Sequence, residues 1–227
     1  MKQDEKVKRL LLTGILGAIL TAVGDCLLLG VDYSGAAGLL GRFIVSAEKV
    51  SYTRIGLAGF FGFVGIPLTA MGYGALYELT ADRNSRLAKL YRVSVWGYLA
   101  FGGAVHVICC YLMTGIKKAV WIGTAADDLL QALLAEQGGF LIPCCLVFFA
   151  FYGVNIVAMA LLIARGSTSL PKWMVWLNPL LFKLLFNAVG KLGTSAVFNG
   201  IACSNMSLGA LVILAAWLCT LRPKKTV

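Results

Sequence analysis

Five polar residues that could do chemistry lie within long apolar stretches of this sequence. They are Asp25, His106, Lys183, Asn187 and Asn205. A carboxylate, an imidazole and an ammonium group can exchange protons or bind an ion, and amides can hydrogen-bond a polar ligand. Ionisable groups within membrane-crossing segments are rare and are usually functional. We therefore predict that these five residues line one polar cavity that binds a small molecule or an ion.

Composition indicates the environment in which this cavity would lie. The chain has 227 residues, of which 59% are hydrophobic and only 13% are charged. Soluble domains carry about twice that share of charged residues. The sequence therefore predicts a multi-pass membrane protein whose single transmembrane domain comprises residues 1–227. The net charge of +10 comes from residues that flank the apolar stretches, which favours a role in topology over nucleic-acid binding.

Six apolar stretches predict an all-α bundle of six transmembrane helices, because each is long enough to cross the hydrocarbon core. Their approximate bounds are 10–31, 54–77, 91–116, 139–164, 173–191 and 200–221. A charged leader precedes the first stretch. Residues 127–137 are predicted to form a separate amphipathic helix at the membrane interface, with Thr124 as its cap.

The distribution of basic residues predicts which side of the membrane each end faces. The leader, the second and fourth connections and the basic tail carry 13 of the 20 Lys and Arg residues. The positive-inside rule then places both termini in the cytoplasm, in a plasma membrane or cell inner membrane. Asp25, His106 and Asn187 each follow the predicted start of their helix by about 15 residues, or about 22 Å. This common depth puts the cavity in the outer half of the bilayer.

Each ionisable residue of the predicted cavity also has a structural interpretation. Asp25 and Lys183 could form an ion pair that lines the cavity, or a pair that only fixes two helices against each other. His106 could be a hydrogen-bonded packing residue, or a general base beside Asp25. Both alternatives stay open at the level of the sequence.

Small residues on the first helix predict its packing face. Gly14, Gly17, Thr21 and Gly24 recur at intervals of three and four residues, so they share one helical face next to Asp25. Such a face lets another helix approach closely. In the fifth stretch, Asn178-Pro179 predicts either a kink or a break in the helix.

No cofactor or metal is predicted. Most of the seven cysteines lie inside apolar stretches, where they act as small hydrophobic residues rather than as disulfide partners. With a single histidine, a zinc site would need several thiolates buried in lipid. No phosphate-binding loop or metalloprotease motif is present, and no catalytic residue is assigned.

The segment from Gly24 to Gly30, with the sequence GDCLLLG, stands in the first span. One histidine follows in the third span and two asparagines in the fifth. In this pattern the chain resembles an uncharacterised bacterial family of six-helix integral membrane proteins, a domain of unknown function. The resemblance implies the fold but no activity, so it assigns no residue roles.

Three functional hypotheses follow from the sequence. The first is a protein that binds or transports a small molecule or ion through the polar cavity. The second is a membrane-embedded enzyme acting on a lipid or isoprenoid, with Asp25 and His106 as an acid–base pair; this reading requires a lateral opening at their level. The third is an accessory subunit without a cavity. The expected partners are the lipid bilayer, a small ligand and a second copy of the chain, but no nucleic acid.

Overall fold

Eight α-helices and one 3-10 helix make up most of the computed structural model, which describes residues 2–36, 38–123 and 126–221. No strand occurs within these residues. The helices are α1 (Lys2–Leu29), α2 (Gly38–Lys49), α3 (Tyr52–Glu78), α4 (Arg86–Ile122), α5 (Ala126–Ala164), the 3-10 helix (Lys172–Trp176), α6 (Pro179–Gly190), α7 (Ala196–Cys203) and α8 (Asn205–Thr220).

Four of these helices, α1, α3, α4 and α5, are long and apolar enough to cross a membrane. Helices α7 and α8 meet at an angle of 66° and could together form a fifth span, whereas α6 has only 12 residues. Large apolar side chains remain exposed along these helices, as Leu12, Leu16, Ile19 and Val23 do on α1. Such surfaces fit lipid rather than water. The all-α class is confirmed, with four or five helices that could span a membrane; the predicted count of six spans is not.

Two predicted boundaries at helix starts are wrong. The charged leader is part of α1, because Glu5 pairs with Arg9 one turn later and Lys6 pairs with Glu78 at the end of α3. Residues 127–137 are not a separate interfacial helix but the first part of α5, where Gln137 lies near Gly115 of α4. Thr124 and the basic tail after residue 221 lie outside the described residues.

The predicted fifth span is broken rather than kinked. The 3-10 helix ends at Trp176, and α6 begins at Pro179. Asn178 caps α6 by accepting a hydrogen bond of 2.9 Å from the amide of Leu180, and proline suits the first helical position because its missing donor is not needed there. Proline does not break α3, which continues through Pro67 from Tyr52 to Glu78.

Helices α1 and α3 meet along the predicted small-residue face of α1, which the structure confirms. Gly14 lies against Gly72, Gly17 against Gly65 and Thr69, and Gly24 against Ala58. We call this contact the α1–α3 seam. Small residues bring the two backbones together without side chains between them. The seam fixes the position of Asp25, which directly follows Gly24.

The bundle has two ends, named here after α1. The amino end is where α1 begins, and its core contains Trp217, Tyr73 and Leu11. The carboxyl end is where α1 ends, and a second core there contains Leu28 and Met113 together with residues of α2. Helix α8 runs beside α1 and closes the bundle.

Arg54 caps the carboxyl end of α1, so we expect Arg54→Met to destabilise the protein. Its guanidinium donates hydrogen bonds of 3.1 and 3.0 Å to the carbonyl oxygens of Cys26 and Gly30. A cation at this end also complements the helix dipole. We expect a loss of about 1 kcal/mol in the free energy of unfolding. Lys118→Met, which removes an exposed cation from α4, is the control; an equal loss in both variants would contradict this role of Arg54.

Candidate functional site

Asp25 has two polar partners on other helices. Ser207 of α8 donates a hydrogen bond of 2.8 Å from its hydroxyl to Asp25 Oδ2. His106 of α4 places its Nδ1 atom 3.8 Å from Asp25 Oδ1. The carboxylate side chain is 21% exposed and the imidazole 10%. Two polar side chains therefore contact the Asp25 carboxylate inside the bundle. This is expected because an isolated carboxylate in lipid is energetically unfavourable.

The contacts of His106 fix which ring nitrogen carries a proton. Its Nε2 atom lies 3.1 Å from the carbonyl oxygen of Ala58, which can only accept a hydrogen bond. Nε2 is therefore the protonated nitrogen, and Nδ1 faces the Asp25 carboxylate. Two lone pairs would repel each other at this position, so one additional proton, on either Nδ1 or Oδ1, makes the contact attractive. At 3.8 Å the contact is electrostatic rather than a hydrogen bond, and a proton on either group would make it attract α1 to α4.

Gly62 of α3 makes room for His106. A Cβ atom built at Gly62 would overlap the imidazole ring, so the ring occupies the space in front of this glycine. The side chain thereby crosses α3 to reach Asp25 on α1. Neither Gly62 nor Ser207 was predicted as part of the site; the only sequence signal for Ser207 is its place in a polar cluster with Ser204 and Asn205.

Lys183 does not join this group. Its Nζ atom lies 5.8 Å from the centre of the Phe149 ring on α5, in a cation–π contact. No ion pair within 4.0 Å connects Lys183 with a carboxylate among the described residues. The pairing of Asp25 with Lys183 that the sequence suggested is therefore replaced by the contacts of Asp25 with Ser207 and His106.

The two asparagines form a second group. Asn205, at the start of α8, donates from Nδ2 to Asn187 Oδ1 of α6 at 3.2 Å and to the carbonyl oxygen of Ala202 at 2.5 Å. The Oδ1 atom of Asn205 is buried without a hydrogen-bond partner among the described residues. This acceptor is one place where a polar ligand or a water molecule could bind.

Asn187 also lines a pocket of about 720 Å³ at the carboxyl end of the bundle. This carboxyl-end pocket lies between α2, α6, α7 and the segment after α1. Its polar lining includes Tyr33, Arg42, Asn187, Lys191, Thr194 and Asn199. Arg42 and Lys191 are the charged residues of this lining, and neither was predicted as a site residue. Of the five predicted residues, only Asn187 lines the pocket.

Thr194 and Asn199 hold the wall of the pocket together. Asn199 Nδ2 donates to the carbonyl oxygens of Val31 and Thr194, both at 2.6 Å. The amide of Tyr33 donates to the same Thr194 carbonyl at 3.3 Å. Beside them, hydrogen bonds from the hydroxyl and then the amide of Ser34 hold the pKa of Asp32 below its usual value. The segment after α1 is thus fastened to the start of α7.

Polar residues at the start of α8 include both the partner of Asn187 and the partner of Asp25. Ser204, next to Asn205 in the chain, occupies the break between α7 and α8. Its hydroxyl lies 3.2 Å from Cys26 Sγ. Ser204 also donates to the Ala22 carbonyl at 3.1 Å. The next polar residue on α8 is Ser207, the partner of Asp25. We call Asn187, Asn205, Ser204, Ser207 and Asp25 the polar column; hydrogen bonds join Asn187 with Asn205 at one end and Ser207 with Asp25 at the other.

A family model described as a family of unknown function, DUF6796, matches residues 1–224. The chain belongs to this family. The predicted resemblance to an uncharacterised family is thereby confirmed. No curated protein and no solved structure matches the chain.

The DUF6796 chain also has a groove between α3 and α4. It measures about 370 Å³ and its lining includes Gly56, Phe60 and Tyr111. Neither Asp25 nor His106 lines it. The groove lies at the level of His106, since Val107 and Gly59 line it, but the Asp25–His106 pair does not open into it.

Metal ligands are not clustered in the part of the DUF6796 chain that the structure describes. No three His, Cys, Asp or Glu residues there come together in a way that could hold an ion. All seven cysteines are free thiols. The groups available for chemistry are accordingly the Asp25–His106 pair, the amides and the two cations of the pocket.

Proposed function

We propose that this DUF6796 chain is a membrane protein that binds, and transports, a small anionic molecule through the carboxyl-end pocket. One observation supports this most strongly. Asn187 lines the pocket and at the same time accepts a hydrogen bond from Asn205, at the head of the polar column that reaches Asp25. A polar route that continues into an apolar bundle is costly and is typical of transport or binding proteins.

The charge of the pocket favours an anion. Arg42 and Lys191 lie in its lining, and no carboxylate does among the residues that the structure describes. Asn187 and Asn199 add amide groups that can orient a polar ligand. The volume of about 720 Å³ falls in the range of small-molecule sites.

The broken helices support a six-span arrangement. In this proposal the 3-10 helix and α6 form one interrupted span, and α7 and α8 form another. Helices broken near mid-membrane commonly surround the binding site of transporters. With both termini in the cytoplasm of a plasma or inner membrane, the pocket opens to the outside.

Asp25 and His106 would act at the inner end of the column, where they hold a proton beneath the ligand. Binding of an anion above them would favour the protonated, neutral form of the pair over the unprotonated form, whose negative charge would repel the anion. Transport would then be coupled to protons. In the alternative, Asp25 and His106 only hold α1 against α4 and take no part in transport. The experiment on Asp25→Asn distinguishes between these two roles.

Arg42→Gln tests binding. Purified protein is heated with and without each member of a panel of small carboxylates, phosphate and sulfate, with small amines as comparators. At about ten times its dissociation constant, a bound anion should raise the melting midpoint by about 3–6 °C. Arg42→Gln should abolish the shift and Lys118→Gln, an exposed cation outside the pocket, should keep it. If no anion stabilises the wild type, or if amines stabilise it equally, the proposal fails.

Asp25→Asn tests transport. Asparagine can still accept the hydrogen bond of Ser207 but carries no charge, so folding and anion-induced stabilisation should persist. Uptake of the stabilising anion into proteoliposomes with an inward proton gradient should fall to the level of empty vesicles. Unchanged uptake in Asp25→Asn would remove the proposed role of the Asp25–His106 pair.

A further inference from the structure

A groove of about 510 Å³ opens at the amino end of the bundle, on the opposite end from the proposed anion site. It lies between α1, α3 and α4 and does not share a residue with the carboxyl-end pocket. Its two halves differ in chemistry. One half is charged and the other is apolar.

The charged half has more cations than acids. Lys6, Arg83 and Arg92 line it, and Glu78 is the single carboxylate among the described residues of the lining. Glu78 already pairs with Lys6 at 2.8 Å and with Arg83 at 3.2 Å. Arg92 lies over the Tyr77 ring, 5.2 Å from its centre, and forms no ion pair within the described chain. The formal charge of these four residues is +2.

The apolar half continues along the lipid-facing surface. Met71 and Trp96 are 40% and 57% exposed, and Leu10 and Leu99 complete this wall. Gly74 forms the floor, where an added Cβ atom would meet no other atom within 4 Å. An apolar channel that begins beneath a cluster of cations matches an acyl chain below a phosphate headgroup.

We propose that this groove binds one anionic phospholipid, with its phosphate at Arg92 and Arg83 and an acyl chain along Trp96 and over Gly74. The surplus positive charge selects an anionic headgroup over a zwitterionic one. Basic pockets between transmembrane helices at the cytoplasmic side bind anionic lipid headgroups in this way. Guanidinium groups suit the phosphate because they can donate two parallel hydrogen bonds.

Native mass spectrometry of the full chain in detergent tests this proposal with two lipids. Dioleoylphosphatidylglycerol is anionic and dioleoylphosphatidylcholine is zwitterionic, and the two have identical acyl chains. The wild type should retain one phosphatidylglycerol molecule at concentrations where phosphatidylcholine does not bind. Equal binding of the two lipids would overturn the proposal.

Arg92→Gln and Gly74→Leu locate the site. Arg92→Gln should weaken phosphatidylglycerol binding about fivefold, the usual effect of one basic residue at a membrane surface. Lys89→Gln, which removes an exposed cation one turn earlier on α4 and outside the groove, should bind as the wild type does. Gly74→Leu starts from a Cβ position in open space, places its side chain in the groove and should abolish retention of the lipid. Equal losses in Arg92→Gln and Lys89→Gln, or wild-type binding by Gly74→Leu, would show that the lipid does not occupy this groove.

Discussion

Gly65→Ala should destabilise the protein by about 2–3 kcal/mol, the upper range for an added methyl group in a closely packed interior. Gly65 lies in the α1–α3 seam. An added Cβ atom would come within 2.7 Å of both the Gly17 carbonyl oxygen and the Thr21 amide nitrogen, and it would also contact the Thr21 hydroxyl. The first two of these are backbone atoms that can move only if α1 moves. The two helices must therefore separate.

Gly56→Ala provides the matched control for this prediction. It adds the same methyl group to the same helix, but nothing lies within 4 Å of the new atom. We expect no loss of stability in this variant. Unfolding in mixed micelles, followed by tryptophan fluorescence, measures the free energy of unfolding for both. Equal stability of Gly65→Ala and Gly56→Ala would contradict the close approach of α1 and α3.

The seam was accessible from the sequence because helical spacing is a local property. Gly14, Gly17, Thr21 and Gly24 share a face in any α-helix, whatever surrounds it. The nearness of Asp25 to that face follows from the same geometry. The identity of the helix that packs there does not, since it depends on the arrangement of the whole bundle.

The partners of Asp25 depend on such non-local packing. The sequence offered Lys183 because of its charge and depth, but the orientation of α6 places Lys183 on Phe149 of α5. Ser207 supplies the hydrogen bond instead. A serine in an apolar stretch carries little signal, since serine also occurs at ordinary helix contacts in membranes. The similar depth of His106 and Asp25 could be counted from the sequence, and in the structure His106 Nδ1 lies 3.8 Å from Asp25 Oδ1.

The length of the helices was the other feature that the sequence left open. Asn178-Pro179 is compatible with a kink or a break, and the choice of a break shortens α6 to 12 residues. Arg42 lies between the first two predicted spans and was not among the predicted site residues. The structure forms α2 there and brings Arg42 to the pocket.

Gly62 and His106 should show a large energetic coupling in a double-mutant cycle. Gly62→Ala alone forces the imidazole out of its place, away from Ala58 and Asp25, and should cost about 2 kcal/mol. His106→Ala alone leaves a cavity in front of Gly62 and should also cost about 2–3 kcal/mol. In the double variant the new methyl group enters the space that the imidazole has left. Its total cost should therefore equal that of His106→Ala alone, so the coupling is about 2 kcal/mol.

Gly59→Ala is the reference for this cycle. It lies one turn earlier on α3, and its added Cβ atom would be 3.5 Å from the Cys110 Cβ atom, an ordinary contact. Its effect should be small and should simply add to that of His106→Ala. The free energy of unfolding of the six proteins, wild type included, decides the result. Additive costs for Gly62→Ala and His106→Ala would mean that the imidazole does not cross α3 at this glycine, and the contact between His106 and Asp25 would then have no structural support.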